Sequence, residues 1–274
     1  MEEVDGTYRF TNGTYRFRKR QMPRQVVDIV LFNNELELLD LRIKILEDVV
    51  DFFIIKEATH TFQGDLKEML SKTYDHPKVF TYVVEFPLNM STWERDRFQR
   101  GTQIDLTAYG INEDAIVMTS DLDEIPDPEA VKWIRDNFNP SAMYALEQKM
   151  HQYFLNVRNL SEPWAGTRVC SMEKYRLMDA ETMRHSQHLC MTLPDAGWHW
   201  SFLGGEKQIE KKIRSYAHEE YDNEDTIQKI KERILNNEDI FNRGFQLQTV
   251  ELDDSYPQYV LDNKEKLAHL IRPL

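Results

Sequence analysis

Apolar residues along this chain change period several times, and each change marks an element. Val26 to Phe32 is an apolar run broken only by Asp28, the pattern of a strand covered on both faces. From Glu35 to Val49 the spacing turns helical, with Leu36, Leu39, Ile43, Leu46 and Val50 on one side. Asp51 to Lys56 is a second buried strand with Phe52-Phe53-Ile54-Ile55 at its centre, so the first unit reads strand–helix–strand and predicts a parallel pair. Val79–Phe86 predicts a third strand, Thr92–Tyr109 a helix ended by Gly110, and Asp114–Thr119 a fourth strand. Strands alternating with helices give an α/β fold with a mainly parallel sheet.

Beyond residue 140 the pattern is more mixed. Ala142–Phe154, Gly166–Met172 and Ala196–Leu203 are strand-like, with no long helix evident between the first two. Glu206–Glu219, Asp225–Leu235 and Gln258–Ile271 predict helices. The first 22 residues stand apart: Gly6-Thr7-Tyr8-Arg9-Phe10 recurs as Gly13-Thr14-Tyr15-Arg16-Phe17, and the two copies flank Asn12-Gly13 as a hairpin would. This stretch is basic, and it reads as a solvated arm or as a contact for an acidic partner. The expected organisation is an arm at 1–22, a catalytic domain at 23–222 and a helical extension at 223–274 packed on it.

Composition narrows the function classes. A formal net charge of −13 argues against a nucleic-acid partner, which needs clustered Lys and Arg. Cys170 and Cys190 are too few for a disulfide framework or a zinc site and read as small buried apolar residues. No apolar run is long enough for a transmembrane segment, and the N-terminus has no signal-peptide pattern. The expected location is therefore cytoplasmic, and sequons at Asn12, Asn89 and Asn159 read as chance matches.

The chemistry concentrates where the fourth strand runs into Ser120-Asp121-Leu122-Asp123-Glu124. In open α/β sheets ligands bind at the carboxyl ends of strands. Carboxylates at i and i+2 of extended chain point to one side and can face one divalent cation, which takes hard oxygen ligands. Helix capping is the competing explanation for acidic residues here. Asp127-Pro128-Glu129 already supplies that signal, however, leaving Asp121 and Asp123 surplus to it.

Four blocks taken in order resemble glycosyltransferase family 17. They are Asp28-Ile29-Val30-Leu31-Phe32-Asn33-Asn34-Glu35-Leu36, Phe53-Ile54-Ile55-Lys56-Glu57-Ala58, Ser120 to Pro126, and Gly197-Trp198-His199-Trp200-Ser201. The resemblance runs from about Val26 to about Tyr221. It implies a GT-A-type fold, with a nucleotide-binding sheet and a mixed acceptor half. It also implies a UDP-N-acetylglucosamine donor, a glycan acceptor, Mn²⁺ or Mg²⁺, and inversion at the anomeric carbon. The chain departs from animal members in lacking a membrane anchor, in its length and in having Ser120 where they tend to carry another acid. Phe202-Leu203-Gly204-Gly205 looks more like microbial or viral relatives, for which the location would be the host cytoplasm.

Further site residues follow from that resemblance. Asp121, Asp123 and His199 form the expected metal set, with His218 the competitor of His199. Asn33, Glu35 and Glu57, after the first two strands, fall where such enzymes place the nucleoside. Arg97 and Arg100 share a helix face and either pair with Glu94 and Asp96 or reach the diphosphate. Glu124 and Glu206 are the candidate general bases, and Trp198 and Trp200 either stack on acceptor sugars or belong to the core. The competing classes are a transferase using another nucleotide-sugar, a nucleotidyltransferase and a non-catalytic carbohydrate-binding protein. The nucleotidyltransferase would want a glycine-rich phosphate loop that Leu31–Glu35 does not offer.

Overall fold

A computed structural model describes residues 23–161 and 163–274, and within the first 22 residues only the backbone of three short strands. Those strands, β1 (Glu2–Val4), β2 (Thr7–Phe10) and β3 (Gly13–Arg16), pair antiparallel in succession. Phe10 lies opposite Gly13, so Gly13 belongs to the strand rather than to the expected Asn12-Gly13 turn.

The body begins with β4 (Val26–Phe32), α1 (Leu36–Leu46), β5 (Phe52–Ala58), β6 (Val79–Val84), α2 (Thr92–Gly101) and β7 (Ile116–Asp121). It continues through β8 (Glu124–Pro126), α3 (Pro128–Asn137), β9 (Tyr144–Gln152), β10 (Val157–Asn159) and β11 (Trp164–Ser171). After β11 come α4 (Met172–Leu177), α5 (Ala180–His185), β12 (Met191–Leu193), β13 (Gly197–Ser201), α6 (Gly205–Ile213), α7 (Glu224–Asn236), β14 (Leu247–Thr249) and α8 (Gln258–Asp262).

The sheet order is β14-β10-β9-β11-β7-β4-β5-β6, with β12 and β13 beside β9 and β8 beside β13. β7, β4, β5 and β6 run parallel, as the alternating pattern predicts, while β11 is antiparallel to both β7 and β9. Val26, Val30 and Phe32 of β4 face a core shared with α1, α3 and the end of the chain; Val27 and Ile29 face a second core with α4 and α5. Both faces of the sheet are therefore covered. The expected long helix at Thr92–Tyr109 stops at Gly101 and resumes as a 3-10 turn at Leu106–Tyr109. The C-terminal segment is more than a helical pack: β14 adds to the sheet edge, and Val260, Leu267 and Leu270 are buried in the first core. Among the described residues no helix is long and apolar enough to cross a membrane.

Asp28 explains itself in this frame. The strand period of two places it on the α1 face of β4, where Arg42 of α1 meets it, both side chains without solvent exposure. Arg42 Nε and Nη2 each donate to an Asp28 oxygen at 2.8 Å, and Nη2 also donates to Ser120 Oγ at 2.8 Å. Nη1 donates to the carbonyls of Asp121 (3.2 Å), Leu122 (3.1 Å) and Glu124 (2.8 Å). A buried guanidinium thus gives partners to three carbonyls of the acidic turn that joins β7 to β8. Removing one partner of such a pair costs about 3–5 kcal/mol. Arg42→Met should lower the unfolding free energy in urea by about that much, and the Asp28→Asn/Arg42→Met double variant should recover part of the loss.

Candidate active site

β7 ends at Asp121, and the chain turns at once into β8. The strand period therefore does not extend to Asp123, and the two carboxylates part company. Asp121 pairs with Arg100 of α2 and, at 2.9 Å, with Arg184 of α5. Asp123 takes Lys212 Nζ of α6 at 2.8 Å and lies 3.5 Å from His199 Nε2 of β13. The two carboxylates thus hold different partners, and among the described residues no group of three or more His, Cys, Asp or Glu side chains is already gathered around one point. Both carboxylates nonetheless line one cavity of about 560 Å³ at the carboxyl end of the parallel sheet.

The β8–β13 ladder sets the position of His199. Glu124 lies opposite His199, and Trp200 N donates to the Asp123 carbonyl at 2.9 Å. Gly197 permits this approach: its φ is +149°, and a Cβ there would meet the Ile125 carbonyl at 2.3 Å. The same alternation divides Gly197–Ser201 between two environments. His199 and Ser201 face the cavity, whereas Trp198 and Trp200 stack on each other at 5.6 Å inside the main core. The acceptor-binding expectation for the two tryptophans is therefore replaced by a core role.

Glu124 is a structural residue as well. Its side chain has no exposure, Trp164 Nε1 donates to it at 2.6 Å, Arg184 binds both its oxygens, and it accepts from Asp121 N at 2.9 Å. A Cβ on Gly166 would lie 2.4 Å from its carboxyl carbon, so glycine makes room for it. With its oxygens engaged and no opening to the cavity, Glu124 is not placed to act as a base. Glu206 sits exposed in the first turn of α6 and is not among the cavity walls.

The remaining expectations divide. Asn33 and Glu35 line the cavity, with Lys212 Nζ 3.6 Å from Glu35. Glu57 does not; its buried carboxylate binds Lys67 and accepts from Leu70 N (3.0 Å) and Ser71 N (2.8 Å), tying down the segment after β5. On α2, residues at helical spacing face the cavity: Trp93, Asp96, Arg97 and Arg100. Arg100 is committed to Asp121, Asp96 (3.1 Å) and Glu181 (3.0 Å), while Arg97 is exposed at the wall and makes no ion pair among the described residues. Lys56 anchors the end of α2 by donating to the carbonyls of Arg100 (2.9 Å) and Thr102 (2.6 Å), and burial together with Arg100 lowers its pKa to about 7. His218 belongs to an aromatic wall, edge-on to Trp93 at 4.5 Å with Tyr216 and Tyr221 beside it, and pairs with Glu220.

Sequence reasoning passed over Arg42, Glu181, Arg184, Lys212 and the Tyr216–Tyr221–Phe241 stack. Asp28 inside an apolar strand was the signal for a buried partner. Arg184 had no comparable signal, because α5 is too short to show a period.

The electrostatics follow from these partners. Burial would raise the pKa of both motif carboxylates, but Arg100 and Arg184 outweigh it at Asp121, and Lys212 and His199 outweigh it strongly at Asp123, so both lie below the ordinary range. Burial favours neutral His199, yet Asp123 more than offsets it and lifts the imidazole above its usual value. Asp96 moves up, chiefly by burial, with Arg100 opposing and Asp121 and Glu181 reinforcing the shift.

Fold and site together define an α/β protein whose parallel sheet carries an acidic turn opening on a cavity. The model of "Glycosyltransferase family 17" matches residues 11–244, and the chain belongs to that family. Its fold is accordingly of the GT-A type. Curated relatives are the human and rat "Beta-1,4-mannosyl-glycoprotein 4-beta-N-acetylglucosaminyltransferase", each 25% identical over 195 residues. The alignment covers 64% of this chain and 36% of each relative, so the chain spans about a third of their length. Among solved structures, S. aureus TarS is similar with a TM-score of 0.39 at 13% identity over 77% of this chain and 71% of that one. The galactosyltransferase LgtC gives 0.33 at 12% identity over 59% and 63%.

The core placement of the tryptophans is testable. Trp200→Ala should cost about 3–5 kcal/mol of stability in urea while leaving the affinity of the folded fraction for UDP unchanged.

Proposed function

We propose that the protein is a metal-dependent inverting glycosyltransferase that moves N-acetylglucosamine from UDP-N-acetylglucosamine to a sugar hydroxyl of a glycan acceptor. The observation that carries the reading is that Asp121, Asp123 and His199 share one cavity with Arg97, Arg100, Arg184 and Lys212. That donor set suits Mn²⁺ or Mg²⁺ with a diphosphate. The 3.5 Å between His199 Nε2 and Asp123 Oδ1 is near the roughly 3 Å that separates neighbouring ligands about 2.1 Å from one ion. For Nε2 to ligate as neutral imidazole the proton sits on Nδ1, which is buried and has no hydrogen-bond partner among the described residues. The family match and the names of the curated relatives support the donor sugar.

When bound, the cation supplies charge neutralisation for the departing diphosphate. The residues of the chain do the rest. Asn33 and Glu35 sit after β4 on the side where the nucleoside enters. Arg97, free of ion pairs among the described residues, is placed to meet phosphate oxygens. In the transfer the acceptor oxygen bonds the anomeric carbon as the carbon–phosphate oxygen bond breaks and UDP leaves, and the acceptor proton passes to a base. We assign that base to Asp96 in place of Glu124 and Glu206. Asp96 faces the cavity beside Arg100, and burial raises its pKa above the ordinary carboxylate value, which makes it a stronger base.

Calorimetry of UDP binding with Mn²⁺ and with EDTA tests the reading. The wild type should bind at least tenfold more tightly with Mn²⁺, and Asp123→Ala should lose that difference together with transfer; equal affinities in the wild type would overturn the metal assignment. Because His199 must be neutral to bind metal and Asp123 raises its pKa, Mn²⁺-dependent affinity should climb as pH rises through a value above the ordinary ~6.5. Asp96→Asn should lower kcat by roughly 10²–10⁴-fold while UDP affinity stays within about twofold.

A further inference from the structure

We propose that Lys212 holds the place of the divalent cation on Asp123 and passes to the diphosphate of the donor when that cation binds. The proposal rests on the metal-dependent reading above and adds the residue that exchanges partners.

The geometry singles out Lys212 among the cations of the cavity. Arg100 is held by Asp121, Asp96 and Glu181, and Arg184 by Asp121 and the enclosed Glu124. Neither can leave without stranding a second carboxylate. Lys212 has one close partner, Asp123 at 2.8 Å, with Glu35 at 3.6 Å. Its ammonium also lies 5.4 Å from the Phe202 ring centre, on a wall that continues into the cavity.

A divalent ion on Asp123 and His199 would carry two positive charges to the carboxylate that now compensates one. The ammonium beside it would then be repelled and lose its main attraction. The helix need not move for the ammonium to go. Ile209 and Ile213 of α6 are buried with Phe202 and Ile230 and fix the backbone, while the four-carbon stem of Lys212 rotates. The nearest new negative charge is the diphosphate that arrives with the cation. A point-charge donor on a flexible stem suits phosphate oxygens. The exchange keeps every charge matched: the divalent ion and the diphosphate enter together, and the lysine changes partner between them.

The inference predicts opposite signs for two affinities. In Lys212→Met, Mn²⁺ alone, titrated by the loss of its free EPR signal, should bind at least threefold more tightly than to the wild type. UDP, titrated by calorimetry at saturating Mn²⁺, should bind at least tenfold more weakly. Mn²⁺ should also raise the Tm of the variant more than that of the wild type, because Asp123 lacks its internal cation there. Lys212→Gln, which can still hydrogen-bond Asp123 and so preserves the packing, should give the same two signs. Unchanged or weaker Mn²⁺ binding in both variants would overturn the exchange, as would UDP affinity within twofold of wild type. If instead the wild type binds UDP equally with Mn²⁺ and EDTA, it is the metal-dependent reading itself that fails.

Discussion

Everything in this site hangs on a guanidinium that never meets solvent. Arg42 reaches from α1 through the first core to Asp28 on β4 and then to three carbonyls of the turn between β7 and β8. A turn at the end of a buried strand leaves carbonyls without partners, and an unpaired buried carbonyl is costly. Arg42 removes that cost and fixes the backbone from which Asp121, Asp123 and Glu124 project. The side chains diverge from there: Asp121 toward α2 and α5, Asp123 toward β13 and α6, and Glu124 inward to Trp164 and Arg184.

This arrangement joins the two halves of the chain at one point. The parallel half supplies the carboxylates, and the mixed half supplies His199, Arg184 and Lys212. Each motif carboxylate is balanced by a cation from a different element, which lets several negative side chains share one cavity. Charge balance of this kind can be rearranged by an incoming ion and phosphate without refolding, because α5 and α6, which carry Arg184 and Lys212, are fixed by their apolar faces. Asp96, paired with Arg100 in the same cavity, is moved up in pKa chiefly by burial, with Asp121 and Glu181 adding to the shift.

The parallel half was legible in the sequence because its periods are long and clean. Val26–Phe32 is the strand the pattern predicts, and the helix at Leu36–Leu46 and the cap at Asp127 follow it closely. The order of strands around the acidic turn was enough to locate the cavity. What failed were inferences that depended on which way a side chain points. Trp198 and His199 are neighbours in sequence and lie in different environments, since β13 alternates between core and cavity. Glu57 and Glu124 are acidic residues near strand ends, yet both carboxylates turn inward. Arg184 and Lys212 come from short elements late in the chain and meet the motif only through the tertiary fold. Pairings at that sequence separation leave no local pattern.

The account stands most directly on where a cation goes. Crystals soaked with Mn²⁺ and UDP and measured at the manganese edge would place it by anomalous scattering. The account predicts a peak bonded to Asp123 and His199, with Arg42 still on Asp28 and the turn carbonyls and with the Lys212 ammonium turned from Asp123 to a phosphate oxygen. A peak elsewhere, or UDP ordered in the cavity with no manganese beside Asp123, would contradict it.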